Sequence, residues 1–392
     1  MLLVTCRVWC AAIAVHPDEA HSDPASYLAL TSGVEPHPNL FFSMKHQAWD
    51  YWRYVAFNPT IGIGKHGQIV EASCQRSYEG KGIWPSYVAH GIIEGFPEQA
   101  INTNYTGGVR GLKDVVHSSN ASGGSIVRGL WTWSRGDGNY GPYTKAGELW
   151  QTINCRVLSA WASDPSRDEA EIFLETIAGD FALSSTDAAS LRRIAMASER
   201  AVLLGRYVGP YDSVMVPFPP GDHQHGDFVI PAGGWFRDYA TDGNAIVHVM
   251  SWLVQHGKQQ EALAEKAEAV ALFEQMLEDV AGMAFDQYQG AGRLRLTDSQ
   301  LPARLRSSVE VGVRFFRAVR AAWDIAALGV VGDNAGGEYN RTGIAEAALR
   351  YNASWASYTG YLLSCPTVRR TLVLLSSIRL LLLLSHHRLR TR

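Results

Sequence analysis

Two periodicities divide the chain. Between Asn39 and about Trp133, short apolar runs at Leu40-Phe41-Phe42, Gln68-Ile69-Val70-Glu71 and Ile126 to Trp133 alternate with stretches of helical character. That alternation predicts βα units of a parallel sheet or barrel. Beyond Glu148 the apolar positions recur every three or four residues, the spacing that gathers them on one side of a helix. The pattern predicts an α/β segment over 39–150 followed by an all-α segment over 151–365.

Local punctuation sets the helix boundaries. Ser166 with Glu169 three residues on, after Asp164-Pro165, reads as a capping box opening a helix through Ile172, Phe173 and Ile177. Ser185 or Thr186 caps the next, which runs to about Leu204, and a Pro- and Gly-rich stretch from Gly209 to Trp235 reads as a long loop. Further helices are predicted over 242–256, 258–281 and 303–329. The second of these carries Leu263, Ala267, Val270, Phe273, Leu277 and Val280 at helical spacing, and Gly257 and Gly282 sit where C-caps belong. A last helix from about Gly343 to Thr359 aligns Tyr351, Trp355 and Tyr358 and ends at Gly360.

The two ends read differently. Residues 1–38, punctuated by Pro and His, form an irregular lead-in, while the tail over 366–392 is Leu-rich and basic without an acid. Its apolar run, broken by Arg379, is too short to span a bilayer.

Charge narrows the partners. A formal net charge of −3 leaves no basic field to collect nucleic acid or an anionic membrane. Twelve Trp, sixteen Tyr and thirteen Phe give a supply of rings that pack in cores or stack on sugars. The five cysteines are spread along the chain with no C-x-x-C pair, which predicts neither a disulfide framework nor a zinc site. Asn-x-Ser/Thr sequons at Asn104, Asn120, Asn340 and Asn352 suit secretion, but Met1 to Val15 lacks the charged start of a secretory signal, so the compartment stays open between extracellular and cytoplasmic.

Three stretches hold the densest chemistry, each following a predicted strand at the end where parallel α/β folds place their sites. The first is Lys45 to Tyr54, with Trp49 and Asp50. The second is Gln68 to Gly82, with Glu71 and Glu79. The third is Gly129 to Tyr143, with Trp131, Trp133 and Arg135. Asp50 and Glu71, on adjacent strands, can face one pocket, and a carboxylate pair is what glycoside hydrolysis needs; a surface ion pair or strand-end cap is the plainer alternative. Arg135 offers a planar fork that matches a substrate carboxylate or, equally, pins its own loop. Asp222-His223-Gln224-His225-Gly226-Asp227 has metal-ligand types, but it sits in a Pro/Gly stretch with no scaffold element before it, so a solvated loop is the better account and no metal or cofactor is expected.

In this order, the stretches resemble the α-glucuronidases that release glucuronic acid side groups from xylan. The resemblance runs from about Phe41 to Ile177. It is carried by Lys45, Asp50-Tyr51, Pro59, Gly62, Glu71, Gln75 and Tyr78-Glu79-Gly80, then Gly129 to Tyr143, Trp161-Ala162-Ser163-Asp164-Pro165 and Glu169 to Glu175. It implies a partial (β/α)8 TIM-type barrel with a C-terminal helical domain, an inverting glycosidase, and a uronic-acid-bearing saccharide as partner. Carried over by motif, one acidic base falls on Asp50 and the other on Ser77, which is not an acid; Glu79 or Glu71 is left as the weaker partner. Lys45 matches the Lys that meets the uronate carboxylate, with Arg135 beside it and Trp49, Trp131 and Trp133 for stacking.

The family keeps its general acid on an earlier strand, and only 49 residues precede Asp50. A full eight-unit barrel takes about 250 residues, against a matching segment of about 110 here. The expectation is an enzyme with impaired activity, or a non-catalytic saccharide-binding or helical scaffold remnant of one. Pairing through the helical domain, a habit of the family, implies a homodimer.

Overall fold

The computed structural model describes residues 4–7, 20–47, 54, 56–73, 85–98, 107–133, 149–215, 243–285 and 301–364. Four parallel strands come first: β1 (Val4–Arg7), β2 (Leu40–Lys45), β3 (Gly67–Ser73) and β4 (Val127–Trp133). Their order in the sheet is their order in the chain. Connections between parallel strands must return across a face of the sheet, and here short helices α1 (Pro24–Ser32), α2 (Ala89–Glu94) and α3 (Leu112–Val115) lie in those connections.

β1 and α1 fall inside the region that reads from sequence as an irregular lead-in. The helix escapes a periodicity reading because it is nine residues long, but its start signal is complete. Asp23 accepts a hydrogen bond from the Ser26 N–H at 2.7 Å, and Pro24 occupies the first helical position. Where a partial barrel is expected, the described residues hold one four-stranded parallel sheet and no complete barrel.

From α4 (Leu149–Ser163) onward the described elements are all helices: α5 (Glu169–Phe181), α6 (Ser185–Arg206), α7 (Gly209–Met215), α8 (Gly243–Gln255), α9 (Gln259–Gly282), α10 (Leu301–Asn334) and α11 (Arg341–Ser364). The caps correct several boundaries. Asp168, not Ser166, caps α5 by accepting from the Ala170 and Glu171 N–H groups, because Ser166 turns back to Asp164. Ser184 caps α6 by accepting from the Asp187 N–H at 3.0 Å. Gly257, with φ +65°, lies just past α8, whereas Gly282 is the last residue of α9 and Met283 forms its C-cap. The predicted long loop from Gly209 begins instead with α7, whose start is fixed where Asp212 accepts the Val208 N–H at 2.6 Å.

The helices pack through rings set against glycines. Phe273 of α9 and Phe316 of α10 stack at 4.8 Å between centroids. A Cβ on Gly205 of α6 would lie 2.2 Å from the Phe316 ring, and one on Gly312 of α10 would lie 2.3 Å from the Phe273 ring. Three helices therefore approach closely only because two positions lack side chains. α11 lies along α10 through Phe315 and Tyr358, 5.3 Å apart. One apolar cluster runs from Tyr27 and the sheet residues Phe42, Met44, Val70 and Ala72 through α4 to α10 and reaches Tyr358.

Candidate functional site

Strand register decides which side chains share a face. In a parallel sheet, directly paired residues point the same way and alternate residues share a side. Lys45 pairs with Glu71, and Glu71 pairs with Trp131. These three therefore form one row across β2, β3 and β4, at the end of the sheet where the strands finish. Two residues back along the same face stand Ser43, Ile69 and Gly129. The opposite face carries Met44, Val70, Ala72 and Thr132, and it meets α4, where Thr132 Oγ1 lies 3.8 Å from Cys155 Sγ.

Trp131 lies over this row. Its indole N–H donates to Ser43 Oγ at 2.9 Å, which carries the ring across β3 to β2. The space at Gly129 is open: nothing lies within 4 Å of a Cβ built there. The ring remains 36% exposed, whereas Lys45 and Glu71 are buried at 7% and 1%. A partly exposed, hydrogen-bonded indole offers a face on which a sugar ring can stack, while the Lys45 and Glu71 side chains in the same row are enclosed. The turn after β2 is built tightly: Asn58 donates to the carbonyls of Lys45 and His21 at 3.0 and 2.8 Å, and the Asn58 N–H donates to His46 O at 3.0 Å.

Of the residues predicted from sequence, Lys45, Glu71 and Trp131 come together in this row. Trp133 follows on β4, two residues beyond Trp131. Asp50, Glu79, Trp49 and Arg135 lie outside the described residues, as do Ser77 and the Asp222 to Asp227 stretch. Nothing in the sequence singles out Ser43. Only the parallel register, which sets it beneath Trp131, gives it a place in the site.

Two polar clusters elsewhere escape a sequence reading. Glu169, whose spacing suggests the back half of a capping box, is instead the centre of a buried junction. Arg192 of α6 donates to both its oxygens, Tyr87 donates through its hydroxyl, and His90 Nδ1 lies 2.9 Å from Oε2. Burial alone would raise the Glu169 pKa, but the bonds from His90, Arg192 and Tyr87 outweigh it and hold the carboxyl below its ordinary value. Arg192 also lies over the Tyr87 and Phe173 rings at 5.4 and 4.9 Å. The cluster ties the segment before α2 to α5 and α6, a structural use of charge.

The second cluster surrounds Lys266 of α9. Its ammonium donates to the carbonyls of Leu204, at 2.6 Å, and Tyr207, closing the end of α6, and it lies over the Trp323 ring at 5.4 Å. Burial drives its pKa down to about 8 against the pull of Glu265 and Asp212. Burial pushes Asp212 up to about 7, opposed by the Val208 N–H and by Lys266.

A hollow of about 500 Å³ between α9 and α10 is lined by paired charges, among them Glu274 with Arg317 and Glu310 with Arg314. A second, of about 210 Å³, lies against Val70, Leu130 and Trp161 on the helix-covered face of the sheet. Neither includes Lys45, Glu71 or Trp131. No group of metal-ligating side chains occurs among the described residues, and no described helix is long and apolar enough to cross a membrane. Cys155 is disulfide-bonded, a single cross-link in a chain whose scattered cysteines predict no recurring framework.

No protein-family model matches the chain, and no curated protein matches it. Among solved structures it is similar to one described as a GH138 enzyme targeting pectin rhamnogalacturonan II. The likeness has a TM-score of 0.45 at 12% identity and covers 92% of this chain. The chain spans 39% of the length of that structure.

Proposed function

We propose that this chain is a glycoside hydrolase that takes uronic-acid-bearing saccharides, with glucuronyl side groups of xylan-derived oligosaccharides as the substrate, at the end of the sheet where Lys45, Glu71 and Trp131 stand in one row. That row is the observation that carries the reading. A lysine supplies the charge that a uronate carboxylate demands, and an indole half open to solvent supplies a stacking surface for a pyranose. Asp50 is the base that activates water for inversion, with Glu71 or Glu79 as its weaker partner. An inverting pair requires carboxyl groups roughly 6.5–9.5 Å apart, with the water between them. Arg135 joins Lys45 on the substrate carboxylate, and Trp49 and Trp133 extend the stacking surface.

A second reading is a saccharide-binding protein without turnover, favoured by the burial of Glu71 at 1%, which suits a carboxylate held in the scaffold rather than one presented to water. One experiment separates the two. Full-length protein is incubated with aldouronic oligosaccharides, and free 4-O-methylglucuronate is measured alongside binding by calorimetry. Release of the acid supports the hydrolase, binding without release supports the second reading, and no binding removes both.

A further inference from the structure

We propose that Asn340, in the turn between α10 and α11, is an N-glycosylation site of this protein. The chain carries four sequons, and the three that fall on described residues occupy different surroundings. The sugar of an N-linked glycan replaces one hydrogen on Nδ2, leaves Oδ1 as an acceptor, and needs open solvent around the nitrogen.

At Asn120 both ends of the amide are engaged. Nδ2 donates to the Lys65 carbonyl at 3.2 Å, while Oδ1 accepts from the Ser122 and Gly124 N–H groups at 3.1 and 3.0 Å. The residue is half-buried, so a glycan would have to crowd the bond that joins its turn to the segment before β3. Asn352 is exposed but lies within α11, directly after the buried Tyr351. In a helix, residues two apart point to different sides, so Asn352 and the Ser354 of its sequon are not presented together.

Asn340 differs in each respect. It and Thr342 are exposed, and it directly precedes the first residue of α11. Its Oδ1 accepts the Gly343 N–H at 2.9 Å and so caps the helix, the role that survives glycosylation. Position 343 is a glycine, and a Cβ there would come within 2.7 Å of Asn340 Nδ2, so the missing side chain keeps that nitrogen uncovered. The turn itself is fixed by Gly336 and Gly337 at φ +72° and +96° and by the Tyr339 ring packed against Gly332. The disulfide at Cys155 fits the oxidising compartment in which such glycans are added.

The test expresses the full chain through the secretory pathway of a eukaryotic host and releases glycans with peptide N-glycosidase in heavy-oxygen water, which converts each occupied Asn to labelled Asp. Label at position 340, lost in Thr342→Ala while the thermal midpoint is unchanged, is the expected result, since that substitution removes the sequon and keeps the cap. Lumenal protein is mapped in the same way if little is secreted. An unlabelled position 340 overturns the proposal, whether label appears at Asn120, at Asn352 or nowhere.

Discussion

Arg192 holds both carboxylate oxygens of Glu169, with the carboxylate 1% and the guanidinium 14% exposed. Removing one member of a buried pair leaves the other charge without compensation, which costs roughly 3–5 kcal/mol. Arg192→Met is therefore expected to lower unfolding stability by about that amount in a denaturant titration. Glu169→Gln keeps an acceptor for Tyr87 but leaves the Arg192 guanidinium without its counter-charge, so it too is expected to destabilise. The depressed pKa of Glu169 adds a pH signature. Stability from Glu169 is present above its unfolded pKa and falls away as acid protonates the folded carboxyl, so the wild-type advantage over Glu169→Gln shrinks below about pH 4.

The glycines beneath Phe273 and Phe316 give a prediction whose sign runs against helix propensity. Alanine in a helix interior is favoured over glycine by roughly 0.5–1 kcal/mol. Yet a Cβ at Gly312 would overlap the Phe273 ring at 2.3 Å. Overpacking of that kind typically costs about 1–3 kcal/mol, so Gly312→Ala is expected to destabilise. Gly282→Ala, where nothing lies within 4 Å, is the control expected to be neutral or stabilising. Thermal midpoints of the two variants decide the matter.

Asp212 and Lys266 predict a dependence on pH of definite direction. Asp212 is raised to about 7 by burial, so the folded state holds its proton more tightly than the unfolded chain, and its contribution declines as pH climbs from about 4 through 7. Lys266 is lowered to about 8, so the folded state gives up its proton more easily, and stability from this group grows as pH rises from about 8 toward 10.5. Asp212→Asn, which keeps an oxygen for the Val208 N–H, is expected to flatten the decline. Chemical denaturation at pH 4, 7 and 9 of wild type and this variant measures it.

On the proposed function, the row of Lys45, Glu71 and Trp131 divides the labour of binding. Trp131→Ala is expected to weaken aldouronic and neutral xylo-oligosaccharides alike, by roughly tenfold or about 1.4 kcal/mol. Lys45→Met is expected to weaken only the charged ligand. Titration calorimetry with the two ligands tests this, and equal losses for Lys45→Met with both would remove its assignment to the carboxylate.

Much of this architecture is legible in residue order, and what is not has physical causes. The long helices announce themselves because Phe273, Val280 and their neighbours repeat at helical spacing. Short apolar runs mark the strands holding Lys45, Glu71 and Trp131, although their alignment in one row depends on register. Register is a property of pairs of strands, and the slip between Gln68 and Ile69 against β4 moves Trp131 into line with Glu71. The Glu169 junction is hidden for a similar reason. Tyr87, Glu169 and Arg192 are far apart in the chain, and nothing around any one of them marks it as a member of a set. α1 stays concealed because a nine-residue helix is too short to show a period, even with Asp23 and Pro24 at its start.

The parallel sheet and the helical half both join partners that lie far apart in the chain. α9, α10 and α11 follow one another in order, but Gln68 must find Val127 and Lys266 must find Leu204 across long intervening segments before β3 can join β4 or α6 can join α9. Loop closure over long separations slows assembly, and local contacts form early. α9, α10 and α11 are thus placed to form early, with α6 and the strands that bear Lys45, Glu71 and Trp131 settling later. Until then Phe42, Met44 and Val70 of the sheet and the Phe316 ring that meets Gly205 stay uncovered, so each half exposes apolar surface until its distant partner arrives.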